Sequence, residues 1–363
     1  MKIHVFNPEH DLALAFNKDQ FTPPHAAREL RFRLGFLPAL WADESDVVLV
    51  DDADFAQRAC RKLHRRMAGV SFLEDVDLRS FLERYGSSDV ECSVWGWDLP
   101  VRKRLIKSGV NENVLPSHDQ IQSIKVLSGR QTAVRLLAQL TDGHETVGQS
   151  VVCSSLLDIF QFISHWKHAV LKAPWSSSGR GIKYVNGTLS NSQLGWCKRV
   201  LEQQGCVIAE LYYNKVLDFG MEFQAHGDGT VSYKGLSIFQ TRNGAYMGNL
   251  LAREDDKMQI LDRYFQRNTL HDVREKLICC LSAYARGIYT GPLGVDMMVV
   301  PQEKGYGYLL HPCVEVNWRR TMGHVALSLT PAPLEPKQVM RVSNGTSDVL
   351  RLTVMEHEMI NLT

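Results

Sequence analysis

The chain has 363 residues, more than one hydrophobic core usually serves, so two or three domains or subdomains are expected. With 44% hydrophobic and 22% charged residues, the composition is that of an ordinary globular protein. A net charge of +1 gives no electrostatic footprint for nucleic acid or a membrane surface. Neither a membrane-spanning run nor a signal peptide is evident, because "NPEHD" interrupts the apolar start, so we expect a cytoplasmic protein.

The 8 cysteines are scattered, with no C-x-x-C pair and no histidine at zinc-finger spacing. This pattern predicts reduced, non-catalytic thiols and no structural zinc. The adjacent Cys279 and Cys280 lie in "REKLICCLSAYARGI", whose apolar residues have helical spacing. We expect both thiols to be packed inside the protein.

The first hundred residues alternate between strand and helix patterns. The strand candidates are "KIHVF", "DVVLVDD" and "ECSVWGWD", and the helix candidates include "DFAQRACRKLHRRMAG" and "LPVRKRLIKSGV". Continuously apolar strands separated by helices are typical of a parallel sheet covered on both faces. The sequence therefore predicts a small, doubly wound α/β domain with a boundary near residue 120.

Beyond residue 120 the chain continues with helices and then mainly with strands. The segment "SHDQIQSIKVLSGRQTAVRLLAQL" holds two helical runs, and Ser128 is predicted to cap the second one. A long helix is predicted through residues 271–287. After it, "GPLGVDMMVVP" and "GYLLHPCVEVNWRR" are expected to form a hairpin of long strands.

These two strands carry acidic and amide side chains. Asp296 lies among apolar residues, and Glu315 and Asn317 are separated by one residue, so on a strand they point to the same face. Three oxygen ligands on neighbouring strands suit Mg²⁺, a hard cation that keeps waters and shares substrate phosphates. The alternative is an ordinary hairpin with solvent-facing polar residues, although Asp and Asn are poor strand residues.

A stretch rich in serine and glycine, "LKAPWSSSGRGIKYV", separates two apolar runs that have strand character. The positions of Lys172 and Arg180 favour phosphate binding by this stretch. The alternative is a flexible hairpin with a lysine at the surface.

Four motifs occur in the order and approximate spacing of the ATP-grasp superfamily of carboxylate-amine ligases: "LKAPWSSSGRGI", "VIAELYY", "GVDMMV" and "VEVNWRRTMGH". The chain resembles that family over about residues 120–330. The resemblance implies an α/β and α+β fold, with an N-terminal Rossmann-like pre-ATP-grasp domain followed by a two-subdomain ATP-grasp fold. The implied segments are 1–120 (pre-ATP-grasp domain), 121–209 (subdomain A with the Ser/Gly loop), 210–330 (subdomain B with the metal-binding strands) and 331–363 (C-terminal extension).

The resemblance also implies nucleotide contacts. Lys172 resembles the lysine that reaches the α- and β-phosphates, and Glu210 resembles the hinge acid that binds a ribose hydroxyl. Backbone groups of Leu211 and Tyr212 are then expected to face adenine. The lid whose backbone N–H groups bind the β- and γ-phosphates corresponds to Ser176, Ser177, Ser178, Gly179, Arg180 and Gly181.

The chain departs from the family at the first phosphate-contacting lysine, which normally lies near the start of the ATP-grasp domain. Arg130 in "LSGRQTAV" and Lys125 just before it are the two candidates. We prefer Arg130 and leave Lys125 as the alternative.

The resemblance implies ATP and Mg²⁺ as cofactors, with two metal ions and Mn²⁺ as the alternative ion. The implied metal ligands are Asp296, Glu315 and Asn317. Arg319 and Arg320 follow this set directly, and Arg242 lies in "FQTRNGAYMG". Guanidinium groups there are candidates to clamp the acceptor carboxylate or the transferring phosphoryl group.

The N-terminal segment "FNPEHDLALA" places polar groups at the carboxyl end of the first strand, where α/β domains bind ligands. We assign Asn7, Glu9, His10 and Asp11 as candidate contacts to the acceptor substrate, an amine in the first instance. Asp11 has the alternative role of a helix cap.

Together these features predict an ATP-dependent ligase that activates a carboxylate as an acyl phosphate for attack by an amine. The alternatives are an ATP-grasp phosphotransferase and a non-catalytic nucleotide-binding module. The expected partners are small-molecule carboxylates and amines, without nucleic acid or membrane. The C-terminal residues after "SLTPAPLEP" are predicted to form a final strand or a contact within a homodimer.

Overall fold

A computed structural model describes residues 1–63, 69–86, 90–141, 144–176, 181–242, 245–302, 306–344 and 350–356. The chain divides into two compact units. Unit 1 consists of Met1–Lys125, Met247–Ala252 and Arg319–Glu358, and unit 2 consists of Val126–Tyr246, Arg253–Trp318 and Met359–Thr363. The four-segment domain division expected from the sequence stays a prediction.

The strands are β1 (Lys2–Val5), β2 (Val47–Leu49), β3 (Ser71–Leu73), β4 (Glu91–Val94), β5 (Ser150–Cys153), β6 (His168–Lys172), β7 (Ile182–Asn186), β8 (Val207–Leu211), β9 (Leu217–Ala225), β10 (Val231–Arg242), β11 (Ala245–Leu251), β12 (Gly291–Pro301), β13 (Tyr308–Asn317), β14 (Gln338–Asn344) and β15 (Leu350–Glu356). The helices are α1 (His10–Phe16), α2 (His25–Leu34), α3 (Ala53–Arg61), α4 (Asp75–Tyr85), α5 (Leu99–Lys107), α6 (His118–Ser128), α7 (Arg130–Leu140), α8 (Leu156–Trp166), α9 (Asn191–Gln204), α10 (Glu254–Leu261), α11 (Arg267–Ala285) and α12 (Met322–Ser328). Short 3₁₀ turns span Leu37–Leu40 and Glu112–Val114.

Unit 1 contains a parallel sheet with strand order β3-β2-β1-β4. In the centre, β1 pairs with β2 on one side and β4 on the other, so that Ile3 lies opposite both Val47 and Cys92. The central strands β1 and β2 are mostly buried, and helices α4 and α5 contribute Leu78 and Leu105 to the same core. Strands β3 and β4 at the two edges are only partly buried. The predicted parallel α/β sheet of the N-terminal residues is confirmed.

A second part of unit 1 comes from distant stretches of chain. Strand β11 pairs antiparallel with β14 over Gly248–Leu251, and β14 pairs antiparallel with β15. Gly248 has φ +158° and lies so close to the backbone of Met340 that a Cβ atom there would overlap the Met340 carbonyl oxygen. The C-terminal segment therefore forms a pair of strands, where the sequence analysis allowed one final strand.

Unit 2 holds two antiparallel sheets. The first has strand order β5-β8-β6-β7 and packs its apolar face against α8 and α9. Both helices begin with a capping box, at Ser155 and Ser190, in which side chains satisfy the otherwise unpaired first N–H groups.

In unit 2, the strands of the second sheet follow the order β13-β12-β9-β10. The predicted hairpin of long strands is confirmed, because β12 and β13 pair antiparallel from Gly294 opposite Asn317 to Pro301 opposite Tyr308. The register is irregular between Asp296 and Met298, where the polar positions meet the apolar ones.

Four local predictions were wrong. Gly129, not Ser128, is the N-cap of α7, and α11 begins and ends earlier than residues 271–287. Asp11 lies in the first turn of α1, whose N-cap is Glu9. Cys279 is exposed, and Cys280 is half-buried with its Sγ donating to Gln139 Oε1 of α7, although all the described cysteines are free thiols as expected. Within the described ranges, the helices are too short or too polar to traverse a lipid bilayer.

Candidate active site

Three oxygen-bearing side chains lie together on the β12–β13 hairpin of unit 2. Asp296 lies directly opposite Glu315, and Asn317 Nδ2 donates to Asp296 Oδ2 at 3.1 Å. The alternation of the strand puts Glu315 and Asn317 on one face, while Val316 between them is buried on the other. In the described part of the chain, no cluster of three His, Cys, Asp or Glu side chains is arranged for a metal. On the hairpin the third oxygen-bearing side chain is the Asn317 amide. Two carboxylates and an amide oxygen fit a magnesium ion.

Arg130 connects this hairpin to the start of the Ser/Gly loop. It is the first residue of α7 and is only 6% exposed. Its Nη1 donates to the Ala173 carbonyl oxygen at 2.6 Å and to Ser176 Oγ at 2.8 Å, while Nη2 donates to Glu315 Oε1 at 2.8 Å. The residue proposed from the sequence as a phosphate contact is therefore also bonded to a candidate metal ligand.

Lys172 forms a second buried ion pair beside the hairpin. Its Nζ lies 2.5 Å from Glu210 Oε2 and donates to the Val314 carbonyl oxygen at 3.3 Å. Strand β6 pairs antiparallel with β8, with Lys172 opposite Ile208, so Glu210 is the diagonal neighbour on the same face. Lysine is rarely buried without a partner, and the Glu210 carboxylate compensates its charge here.

His311 is a buried residue near this site that the sequence analysis did not select. It lies on β13, its ring contacts the edge of Tyr213, and its Nδ1 has no hydrogen-bond partner within the described residues. Burial, and secondarily the charge of Lys172, lower the pKa of His311 to about 3, so the imidazole is neutral at pH 7. A histidine inside the apolar strand "YLLHPCVEV" was the available sequence signal.

The Ser/Gly loop is described only at its two ends. The Ala173 N–H donates to the Gly181 carbonyl oxygen at 2.9 Å, which closes the base of the loop. A side chain at Gly181 would collide with Ser176, so glycine is required by this close approach. The other predicted loop residues lie outside the described residues: Ser177, Ser178, Gly179 and Arg180.

The remaining unit 2 candidates lie on strand ends. The Leu211 N–H donates to the Gln149 carbonyl oxygen at 3.0 Å, and the Tyr212 N–H donates to the His168 carbonyl oxygen at 3.1 Å. Both N–H groups are thus committed to the protein. Arg242 is exposed at the end of β10, and no ion pair among the described residues joins it to the acidic set.

Arg319 and Arg320 belong to unit 1. Arg319 pairs with Asp11, with Nη2 at 2.9 Å and Nε at 3.1 Å from Asp11 Oδ2, and its Nη1 donates to the Arg320 carbonyl oxygen. The Arg320 guanidinium stacks on Trp41, with its central carbon 4.2 Å from the ring centroid. Asp11 therefore orients Arg319, a role that the sequence analysis did not foresee.

Two other N-terminal candidates, Asn7 and His10, converge on Asp98, which follows β4, whereas Glu9 pairs with Arg31. Asn7 Nδ2 donates to Asp98 Oδ2 at 2.8 Å, and His10 Nδ1 lies 3.3 Å from the same oxygen. The other oxygen of Asp98 accepts from Val101 N and caps α5. The helix-start signal "WDLP" marks Asp98 in the sequence, but its link to Asn7 and His10 arises only because β1 and β4 are neighbours in the sheet.

No protein-family model matches the chain, and no curated protein matches it. Among solved structures, biotin carboxylase from Campylobacter jejuni, crystallised as a β,γ-ATP complex, has a TM-score of 0.54 at 11% identity, with 96% of this chain and 77% of that chain covered. The chain has the ATP-grasp fold. The biotin carboxylase domain of the Hydrogenobacter thermophilus 2-oxoglutarate carboxylase, with MgADP, ADP and bicarbonate, gives 0.50 at 12% identity, over 96% and 76% of the two chains. The N5-carboxyaminoimidazole synthetase of Staphylococcus aureus with ADP gives 0.46 at 14% identity, over 94% and 82%.

The ATP-grasp fold confirms the fold class expected from the four sequence motifs. The parallel sheet of unit 1 agrees with the expected N-terminal domain, and the antiparallel sheets of unit 2 agree with the expected ATP-grasp part. At identities of 11–14% the likeness concerns the fold, so the roles of individual residues rest on the geometry described above.

Proposed function

We propose that the protein is an ATP-dependent ligase that activates a substrate carboxylate and joins it to an amine, with release of ADP and phosphate. One observation carries the proposal: two carboxylates and an amide, Asp296, Glu315 and Asn317, lie on paired strands against the buried cations Arg130 and Lys172. Hard oxygen ligands beside fixed positive charges suit the handling of a nucleoside triphosphate, whose charge must be neutralised before a phosphoryl group can be transferred.

The donor set fits one or two magnesium ions, with Mn²⁺ as the alternative. Asp296, Glu315 and Asn317 would hold the metal, which when bound neutralises charge on the β- and γ-phosphates. Arg130 keeps Glu315 in a fixed orientation through the 2.8 Å bond to Oε1. Lys172 supplies a desolvated positive charge for phosphate oxygens, and fixed charges of this kind stabilise phosphoryl transfer without reorganisation.

In the proposed reaction a carboxylate oxygen attacks the γ-phosphorus of ATP, and the bond to the bridging oxygen of ADP breaks. The amine nitrogen then attacks the carbonyl carbon of the acyl phosphate, phosphate leaves, and the nitrogen loses one proton. The contribution of the protein is mainly positioning and electrostatic stabilisation. Arg319, oriented by Asp11, and Arg320 are proposed to bind carboxylate or phosphoryl oxygens.

The test is ADP release from Mg·ATP by the purified full-length chain, screened against pools of amino acids, small peptides and dicarboxylates. We expect one pool to stimulate ADP release and Glu315→Gln to reduce the stimulated rate by at least about 100-fold. The matched control is Glu275→Gln, an exposed glutamate on α11. Product analysis for free phosphate and a new amide separates the ligase from a phosphotransferase.

Two results would contradict the proposal. A phosphorylated product without an amide would assign the protein as a phosphotransferase. ATP binding that no pool converts to ADP release, in wild type and Glu315→Gln alike, would favour a nucleotide-binding module.

A further inference from the structure

Unit 1 contains a cavity of about 950 Å³ at the carboxyl ends of its parallel strands. Its floor is formed by residues that follow β1 and β4, namely Asn7, Glu9 and Asp98. Its walls come from α4, α5 and the segment 19–23. Parallel α/β sheets bind small molecules at this edge, where neighbouring strands diverge into their loops.

The floor offers an incompletely satisfied carboxylate. Glu9 is only 6% exposed, and its Oε1 accepts from Arg31 Nη1 at 2.6 Å. Its Oε2 is buried and has no hydrogen-bond partner in the ranges that the structure describes. Burial raises the pKa of Glu9, and the nearby Arg31 only partly opposes that effect. A buried carboxylate oxygen without a donor is costly, so a ligand that brings a donor gains affinity from it.

The rim carries three cationic side chains that form no ion pair with a described residue. Lys103 and Lys107 lie one turn apart on the same side of α5, and both line the cavity together with Arg79 of α4. Within the described residues, no carboxylate forms an ion pair with either lysine or with Arg79, whose Nη2 donates to the Lys107 carbonyl oxygen.

Two other arginines of the cavity are already neutralised. Arg31 pairs with Glu9 and Asp51, and Arg104 pairs with Asp75 and Asp51. Asp19 also lines the cavity and is exposed. The three cations Lys103, Lys107 and Arg79 outnumber this carboxylate, so the rim keeps a positive charge away from the acidic floor.

We propose that this cavity binds a small zwitterion, with an ammonium group at Glu9 and a carboxylate or phosphate group at Lys103, Lys107 and Arg79. An acidic floor alone would suit any amine, and a basic rim alone would suit any anion. Only a molecule with both an ammonium and an anionic group pairs with Glu9 and with the cationic rim. A molecule with one charged group leaves charged side chains of the cavity desolvated and unpaired, which lowers its affinity. Binding at this cavity stands independently of ATP turnover; that the zwitterion is the amine substrate rests on the proposed function.

The experiment is calorimetric titration of the full-length chain, without nucleotide, with ω-amino acids from glycine to 6-aminohexanoate. Matched single-charge probes are the alkylamines and the alkylcarboxylates of the same lengths. We expect at least one zwitterion to bind about tenfold more tightly than its amine or carboxylate counterpart. O-phosphoethanolamine, compared with β-alanine, distinguishes a phosphate from a carboxylate as the anionic group.

Variants assign the two ends. Glu9→Gln keeps an oxygen for Arg31 but removes the charge, and it is expected to weaken the zwitterion about tenfold while leaving the carboxylate probe unchanged. The double variant Lys103→Gln, Lys107→Gln is expected to do the reverse, weakening the zwitterion and leaving the amine probe unchanged. Lys62→Gln, an exposed lysine just after α3, is the matched control, and thermal unfolding verifies that each variant is folded.

The outcomes separate this proposal from the proposed function. Glu315→Gln abolishes ADP release under the ligase proposal but leaves zwitterion binding intact, because Glu315 belongs to unit 2. The cavity proposal is overturned if no zwitterion of the series binds saturably. It is also overturned if single-charge probes bind as tightly, or if the folded Glu9 and lysine variants keep wild-type affinity.

Discussion

Replacing Arg130 tests whether this residue acts by holding Glu315 in a fixed orientation or only by supplying a positive charge. One planar guanidinium bonds Ala173, Ser176 and Glu315 at once, and a lysine ammonium cannot reach all three acceptors. We expect Arg130→Lys to lower the free energy of unfolding by about 1–3 kcal/mol, because buried acceptors lose their donor. We also expect it to raise the Mg²⁺ concentration for half-maximal ATP turnover about tenfold, because Glu315 loses its fixed orientation.

The measurements are urea denaturation and a Mg²⁺ titration of ADP release. Arg135→Lys is the control, since Arg135 is an exposed residue of the same helix that donates to Thr132 Oγ1. Wild-type Mg²⁺ dependence in Arg130→Lys would show that the charge of Arg130 matters and its geometry does not.

For single residues, the sequence predicts the strand face on which a side chain lies better than it predicts which residues that side chain contacts. That Glu315 and Asn317 share a face follows from the two-residue period of a strand, which is local information. The pairing of Arg130 with Glu315 joins residues 185 positions apart and depends on how α7 lies against β13. The same holds for Asp11 and Arg319, which the sequence analysis assigned to separate roles.

The β12–β13 hairpin holds two acidic residues in directly opposed positions, and we expect their repulsion to lower stability when no cation is bound. Asp296 and Glu315 face each other across the ladder, where like charges repel. Asp296→Asn removes one charge and retains an oxygen that can accept from Asn317. We therefore expect Asp296→Asn to raise the free energy of unfolding by about 0.5 kcal/mol in metal-free buffer and to abolish ATP turnover.

The comparison requires urea denaturation with and without Mg²⁺, because a bound cation would cancel the advantage of the variant. Asp272→Asn, an exposed aspartate on α11, is the control for a general charge effect. A destabilised Asp296→Asn protein would show instead that the aspartate is structural, held by contacts that outweigh its repulsion by Glu315.

Strands with a clear pattern of apolar or polar residues were predictable from the sequence. Strand pairs formed by distant parts of the chain were not. The apolar pattern identified β1, β2 and β4, and the polar positions identified the β12–β13 hairpin. Strand β3 was missed because, unlike the equally short β2, it is only partly buried and its first residue, Ser71, is exposed. The pairing of β14 with β11 was not predictable, because β11 lies almost ninety positions earlier in the chain.

At the scale of the whole molecule, the chain order does not match the two compact units. Unit 1 takes β11 residues from Met247–Ala252 and then Arg319–Glu358, so the chain enters it three times. A division of the sequence into consecutive segments cannot represent this arrangement, since each entry is decided by tertiary packing. The acidic hairpin belongs to unit 2, and the residues that line the cavity belong to unit 1.

Because the candidate nucleotide-binding residues belong to unit 2, we expect Mg·ATP to stabilise unit 2 selectively. A ligand at free concentration [L] stabilises the structure that binds it by RT ln(1 + [L]/Kd). At about 100 times Kd, amides of β6, β8 and β13 that exchange by opening of unit 2 should exchange roughly 100-fold more slowly with deuterium. The peptides of β1, β2 and β4 should change little. Peptide-resolved exchange mass spectrometry measures both sets, with Glu315→Gln as the control that loses the effect. Protection confined to unit 1 would place the nucleotide there and contradict the assignment of Lys172 and Glu315.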